Sequence, residues 1–210
     1  MWTPAFLFLP GGCVIGVIVP LPFSPSSGIM VAITEKVGCP MTQALLTALA
    51  TEMVHYYQDD LQHIQHFIKV HSFSRLIAQL EQLDEDTCFT LEAAAYVHDI
   101  GIKPALARYQ SSAGPYQERL GAPIALELLT RLGFPPAVAQ RVSYLVGHHH
   151  TYTDIDGPDY QILVEADFLV NLYEDFPNDA AARRHAASTA YQRIFQTDAG
   201  KRLCREMFGL

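Results

Sequence analysis

The sequence predicts an all-α protein, a helical bundle, and three observations carry that prediction. From Met41 onward apolar residues recur at three-to-four-residue spacing. Residues that cap or stop helices fall at the joints between these periodic stretches. No segment alternates persistently between apolar and polar residues in the manner of a half-buried strand.

Leu45, Leu46, Leu49 and Met53 define a first helix from Met41 to about Tyr57. Asp59 or Asp60 can cap a second, whose apolar positions Ile64, Phe67, Ile68, Leu76, Ile77 and Leu80 carry it to about Leu83. Asp84 to Asp86 restart the chain for a third helix, Thr87 to His98, which should stop near Gly101, a residue tolerant of the left-handed conformation common just after a helix. Lys103 to Pro115, with Pro104, Ser111, Ser112 and Gly114, reads as a surface loop. Five more helices are expected at about Tyr116 to Leu132, Pro136 to Gly147, Tyr160 to Glu174, Asp179 to Phe195 and Ala199 to Phe208.

Composition narrows the functional classes. The chain has 210 residues, enough for one domain with a substantial core, here assigned to residues 41 to 210. Its 14 Lys and Arg against 22 Asp and Glu give a formal net charge of −8, which opposes binding to duplex nucleic acid. Cys13, Cys39, Cys88 and Cys204 form no CxxC pair and no dense framework, which fits a reducing cytoplasm better than a disulfide scaffold or a structural zinc site. Residues 1 to 40 differ from the rest, because Ala5 to Pro22 is strongly apolar and no Lys or Arg precedes Lys36. A secretory signal would carry a basic start, and Pro10, Gly11, Gly12, Gly16 and Pro20 would interrupt a spanning helix. The segment is therefore read as a poorly ordered extension, or as the product of a start assigned upstream of Met30 or Met41, and no membrane partner is expected.

The chemistry starts from His98. It follows Leu91, Ala94 and Ala95 by seven, four and three residues, so a helix turns it toward the core. Asp99 comes next, and a carboxylate close to the core is costly unless it is paired or bound to a cation. A His and an Asp at a helix end can converge on one metal with nitrogen and oxygen donors. The dipeptide alone is weak evidence, but two other helices add to it. His66 shares a face with Val70 and Ile77, and Asp167 lies among Leu163, Val164 and Val170, where an acid calls for a cation.

The order His66, His98-Asp99, Asp167, each on a separate helix, resembles the H…HD…D signature of the HD-domain metal-dependent phosphohydrolase superfamily. The wording HFIKVH (66 to 71), AAAYVHDIGIK (93 to 103), LVGHHHTY (145 to 152) and ILVEADFLVNLYED (162 to 175) is similar to its small single-domain bacterial members. The resemblance spans most of residues 41 to 210. It implies an HD-domain helical bundle, His66, His98, Asp99 and Asp167 as metal ligands, and a small phosphorylated metabolite or nucleotide as substrate. Mixed nitrogen and oxygen ligands suit Mn, Fe, Co, Ni or Zn, with Mg less natural beside two histidines.

Further candidates surround this set. HD relatives often place extra histidines after a later helix for a second metal or for phosphate, which makes His148 and His149 site candidates and leaves His150 outside. Two-metal relatives also carry a histidine on the helix after the HD pair, where this chain has Gln117 and Glu118. Glu118 is then a candidate oxygen ligand or base. Lys103, four residues past Asp99, is a candidate to steady a phosphate, with a solvated loop lysine as the alternative. Lys69 can snorkel from its helix. His63 is read as a supporting or core residue on the face of His66, while His55 and His185 are read as structural. The expected reaction is hydrolysis by a metal-activated water, with Asp99, Lys103, Glu118 and His148 as catalytic candidates. An HD-type di-iron oxygenase or hydratase, or a sensor module that keeps the pocket without catalysis, needs the same ligands.

Overall fold

The computed structural model describes residues 40–210, which are helical throughout apart from short connections. The expected extension therefore lies outside the described residues except for Pro40, the first residue of α1. Among the described residues there are nine α-helices and no strand: α1 (Pro40–Tyr57), α2 (Leu61–Leu80), α3 (Glu85–Val97), α4 (Ile102–Tyr109), α5 (Gly114–Leu132), α6 (Pro136–Val146), α7 (Pro158–Glu174), α8 (Ala180–Arg193) and α9 (Asp198–Phe208).

Several starts are set by local hydrogen bonds that satisfy the free N–H groups of a first turn. The Asp60 carboxylate accepts from the backbone N–H of His63, and Asp84 accepts from both N–H and Oγ1 of Thr87. Asp179 accepts from the N–H of Ala182, and Thr197 Oγ1 accepts from that of Gly200. The Asp84 cap gives α3 its entry, and α3 then runs into the core.

α7 is the central helix, with eleven of its seventeen residues buried. It packs against α2, α3, α8 and α9, while α2 and α3 also pack on each other, so α2, α3 and α7 form a mutually touching trio. Leu91, Leu163 and Leu169 are fully buried at its heart, each contributing about 2 kcal/mol of apolar transfer. Ala93, Ala94 and Ala95 are also fully buried, although they lie on three successive faces of α3. The three alanines are needed because α2, α6 and α7 all approach this short helix.

Two expectations are corrected. The predicted loop 103–115 contains α4, and Pro104 is compatible with it because it lies in the first turn, where its missing N–H has no helical partner. Gly101 is not left-handed, with φ at −75°. Its glycine is required by crowding, since a Cβ there would lie 2.2 Å from the carbonyl oxygen of Gln117 on α5. Gly121 on α5 meets the Gly101 backbone from the other side, which lets α5 rest directly on the turn that follows His98.

Glu165 joins α7 to the end of the chain. It is fully buried and accepts from Gln161 Nε2 at 2.8 Å, from the N–H groups of Gln196 and Thr197 at 2.6 and 2.9 Å, and from Thr197 Oγ1. These bonds satisfy a charge that would otherwise be stranded in the core.

Candidate metal centre

Three helices deliver four donors to one point. His66 projects from α2 on the face it shares with Val70 and Ile77, His98 and Asp99 follow the last turn of α3, and Asp167 projects from the middle of α7. His66 Nε2 lies 3.2 Å from His98 Nε2 and 3.2 Å from Asp167 Oδ1. His98 Nε2 is 3.6 Å from Asp167 Oδ1, and Asp99 Oδ2 is 3.4 Å from both ring nitrogens. Adjacent ligands on a cation with bonds near 2.1 Å are separated by about 3.0–3.4 Å, so the two imidazoles and Asp167 can share one divalent ion, with Asp99 Oδ2 beside both imidazoles.

The outer ring nitrogens establish which atoms face inward. His66 Nδ1 donates to Glu174 Oε2 at 2.9 Å and His98 Nδ1 to the carbonyl of Ala95 at 3.0 Å. With Nδ1–H committed outward, each Nε2 points at the other bearing a lone pair or a second proton. One proton between the two nitrogens makes an N–H···N hydrogen bond at 3.2 Å, whereas two bare nitrogens or two N–H groups facing each other there repel. A cation at the centre would accept both lone pairs at once and neutralise the two carboxylates.

The electrostatics have the same origin. Burial would depress His66, yet hydrogen bonds to Asp167 and Glu174 raise its pKa to about 9. His98 is raised well above the usual histidine range, with Asp99 and Asp167 overcoming its complete burial. Burial would raise the two acids, but the neighbouring imidazoles hold Asp99 and Asp167 far below the carboxylate range. The cluster is a negative pocket in which histidines take up protons when no other cation is present.

A second group adjoins it. His149 is buried, its Nδ1 donates to the carbonyl of Val146 at 2.9 Å, and its Nε2 has no hydrogen-bond partner. That nitrogen faces Asp99 Oδ1 at 3.4 Å. Asp99, His149 and His150 can each offer an atom to a common ion, so Asp99 turns one oxygen to each group.

The remaining candidates fall in different places. His148 turns away, with Nδ1 donating to the carbonyl of Tyr144 at 2.7 Å and its ring stacked 4.1 Å from that tyrosine. His150, expected outside, lies beside His149, and its Nε2 is 3.4 Å from Gln117 Oε1. Successive residues leave a helix end in different directions, and a run of three histidines gives no periodicity from which to choose. Lys103 does not reach the cluster either. Its ammonium donates to the carbonyls of Tyr56 and Tyr57 at 2.6 and 3.4 Å, where the free carbonyls at the end of α1 favour a cation. Glu118 Oε1 accepts from the His150 N–H at 3.0 Å and from Thr151 Oγ1 at 3.2 Å, which fixes the histidine segment from beneath. Lys69 pairs with Glu174.

Sequence reasoning missed several supporting residues. Asn171 donates to Asp167 Oδ1 at 2.9 Å, and Glu174 holds His66. Both were signalled by lying four and seven residues beyond Asp167, on its own helical face. The Tyr57 hydroxyl donates to the Asp99 carbonyl at 2.7 Å and the Tyr56 hydroxyl to that of Ile100 at 2.9 Å, with no sequence signal beyond their position at a helix end. Arg141 grips Asp159 through two bonds of 2.8 Å and Asp156 through bonds of 2.8 and 3.0 Å, which holds the far side of the histidine segment.

Fold and cluster together define the class: an all-helical protein of HD-domain fold whose buried His and Asp cluster fits a divalent metal. The structure is similar to a predicted HD superfamily hydrolase from an uncultured Thermotogales bacterium, with a TM-score of 0.53 and 25% identity over 80% of this chain and 84% of that one. It also shares its fold with Bacillus subtilis YpgQ, solved in complex with ADP, with a TM-score of 0.55 and 19% identity over 80% and 89% of the two chains. Neither the family models nor the curated proteins compared with the chain gave a match. Among the described residues no helix is long and apolar enough to cross a membrane.

Proposed function

We propose that the protein is a metal-dependent phosphohydrolase acting on a small phosphorylated metabolite or nucleotide. One observation carries the reading: the Nε2 atoms of His66 and His98 lie 3.2 Å apart and each lies 3.2–3.6 Å from an oxygen of Asp99 and of Asp167, a set of nitrogen and oxygen donors suited to a divalent cation. A divalent cation bound there supplies Lewis acidity toward water and toward a phosphoryl oxygen.

The chain's own residues provide the surroundings for that chemistry. Glu174 and the carbonyls of Ala95 and Val146 fix the tautomers of His66, His98 and His149. Asp99 stays ionised and presents Oδ1 on the side of His149, where it can accept a hydrogen bond from water or join a second cation. Burial and the neighbouring His149 hold the His150 pKa down to about 4, so its imidazole is neutral and offers a lone pair to a cation or a hydrogen-bond donor. Burial, then Asp167, Glu118 and Asp99, push Tyr152 up to about 12, so its hydroxyl remains a donor beside an anionic group. The ADP bound to YpgQ supports a phosphorylated ligand in this fold.

The test uses the full chain. Bound metal is measured by elemental analysis, and phosphorylated metabolites and nucleotides are screened with Mn, Fe, Co, Ni and Zn. His98→Ala and Asp99→Ala are expected to lose both metal and phosphate release. Wild-type metal content and activity in both variants would overturn the reading. The second group at Asp99, His149 and His150 favours one further reading, a two-metal centre. Two equivalents of iron with oxygen consumption and no phosphate release would assign the protein to the oxygenase branch instead.

A further inference from the structure

The groove between α7 and α8 has no part in the chemistry above. It is a cavity of ≈ 410 Å³ walled by Phe168, Leu172, Ala190 and Ile194, with Asn171, Asp175, Thr189 and Arg193 as polar members. That size suits the organic part of a small ligand. Two contacts connect it to the metal cluster. Asn171, which lines the cavity, donates directly to Asp167 Oδ1. Phe168 follows Asp167 in the chain and meets Tyr152 edge-on with centroids 5.2 Å apart, and the Tyr152 hydroxyl is 3.5 Å from His150 Nδ1. The cavity thus begins one side chain away from both donor groups.

The lining determines what would fit. Walls of this kind offer little to a second phosphate or to a hydrated sugar, whose polar groups would lose water without compensation. A flat ring gains from stacking on Phe168, and a guanidinium can lie over its face. Arg193 is available for that contact, since among the described residues it has no ion-pair or hydrogen-bond partner, although Asp175 lines the same cavity.

We infer that this groove takes the flat, uncharged ring of a phosphoester substrate, stacked on Phe168 beneath the Arg193 guanidinium, while the phosphate lies at the His66–His98–Asp99–Asp167 cluster. The assignment rests on the phosphohydrolase reading for its phosphate end, and its test separates the two.

Thr189 is an exposed residue on the lip of the groove, so Thr189→Trp fills the space without disturbing the core. Full-length protein loaded with Mn²⁺ is assayed for phosphate release from ribose 5-phosphate and from the four common nucleoside monophosphates, which add only a ring. Binding of the four phosphate-free nucleosides is followed in parallel by calorimetry. The expected result is a kcat/KM at least about tenfold higher for one or more nucleotides than for ribose 5-phosphate, lost in Thr189→Trp and weakened in Arg193→Ala, with ribose 5-phosphate hydrolysis within about twofold of wild type in both variants. If no ester is hydrolysed but a nucleoside binds and Thr189→Trp abolishes binding, the groove assignment stands and the phosphohydrolase reading falls. Hydrolysis with no preference for a ring, a preference that survives Thr189→Trp, or the absence of both hydrolysis and nucleoside binding overturns the groove assignment.

Discussion

The donors on α2, α3 and α7 and those in the segment after α6 reach the same centre by different means. His66, His98 and Asp167 are held by helix packing: His66 and Asp167 lie on the inward faces of α2 and α7, His98 caps α3 with helical backbone angles directly after the buried Val97, and the three helices touch one another. His149 and His150 lie beyond the last turn of α6, where no helical repeat sets their direction. They are placed by bonds from elsewhere: Glu118 to the His150 N–H, the Tyr160 hydroxyl to the carbonyls of His148 and Thr151, and Arg141 to Asp156 and Asp159. The first set is as rigid as the core, whereas the second is only as rigid as a handful of polar contacts. A site built this way can bind its ion in a fixed frame and adjust one side of it.

The sharpest test of that contrast is the histidine run itself. His149→Ala should lower activity by at least about a hundredfold, on the scale of removing one group that stabilises a transition state. His148→Ala should stay within a few-fold of wild type, because its ring faces Tyr144. Steady-state kinetics on both variants decides this, and an equal loss in the two would mean that the segment lacks a fixed direction.

On the core side, Glu174→Gln keeps the size of the side chain but removes the charge that orients His66. Metal affinity is expected to fall by about 10- to 100-fold with the fold intact, measured by competition with a chelating dye. Gly101→Ala probes packing without touching a donor. The new methyl group meets the Gln117 carbonyl, and relief requires α5 to shift, at a cost of about 1–3 kcal/mol visible as a lower Tm.

A further expected effect is the pH dependence of the metal-stripped protein. The His66 pKa is about 9 in the folded state against 6.5 without partners. A folded pKa above the unfolded one means that its contribution to stability is complete below about pH 6.5 and disappears as pH rises through about 9. His98 acts in the same direction. Tm of the metal-free protein should therefore fall between pH 6.5 and 9, and saturating metal should abolish the fall, because the ion takes the place of the protons. A flat profile without metal would show that the two imidazoles are not protonated in the empty cluster.

How much was legible in the sequence follows the same division. Periodicity located eight of the helices to within a few residues and turned His66, His98 and Asp167 inward, because burial on a helix recurs at fixed intervals. It missed α4, where Pro104 looked like a breaker but occupies a tolerated first-turn position. Gly101 marks the end of α3 in the sequence through its tolerance of left-handed angles, but its actual role depends on α5, a contact that local spacing does not reveal. The choice of His149 over His148 and the capture of Lys103 by the end of α1 are also tertiary facts. Local spacing contains no information about either.

Glu165 lies two residues before Asp167, and half of its hydrogen bonds come from the backbone of Gln196 and Thr197. A chain cut before residue 196 would keep every candidate donor yet leave Glu165 without the hydrogen bonds it accepts from Gln196 and Thr197, two residues from Asp167 in the most buried helix of the bundle.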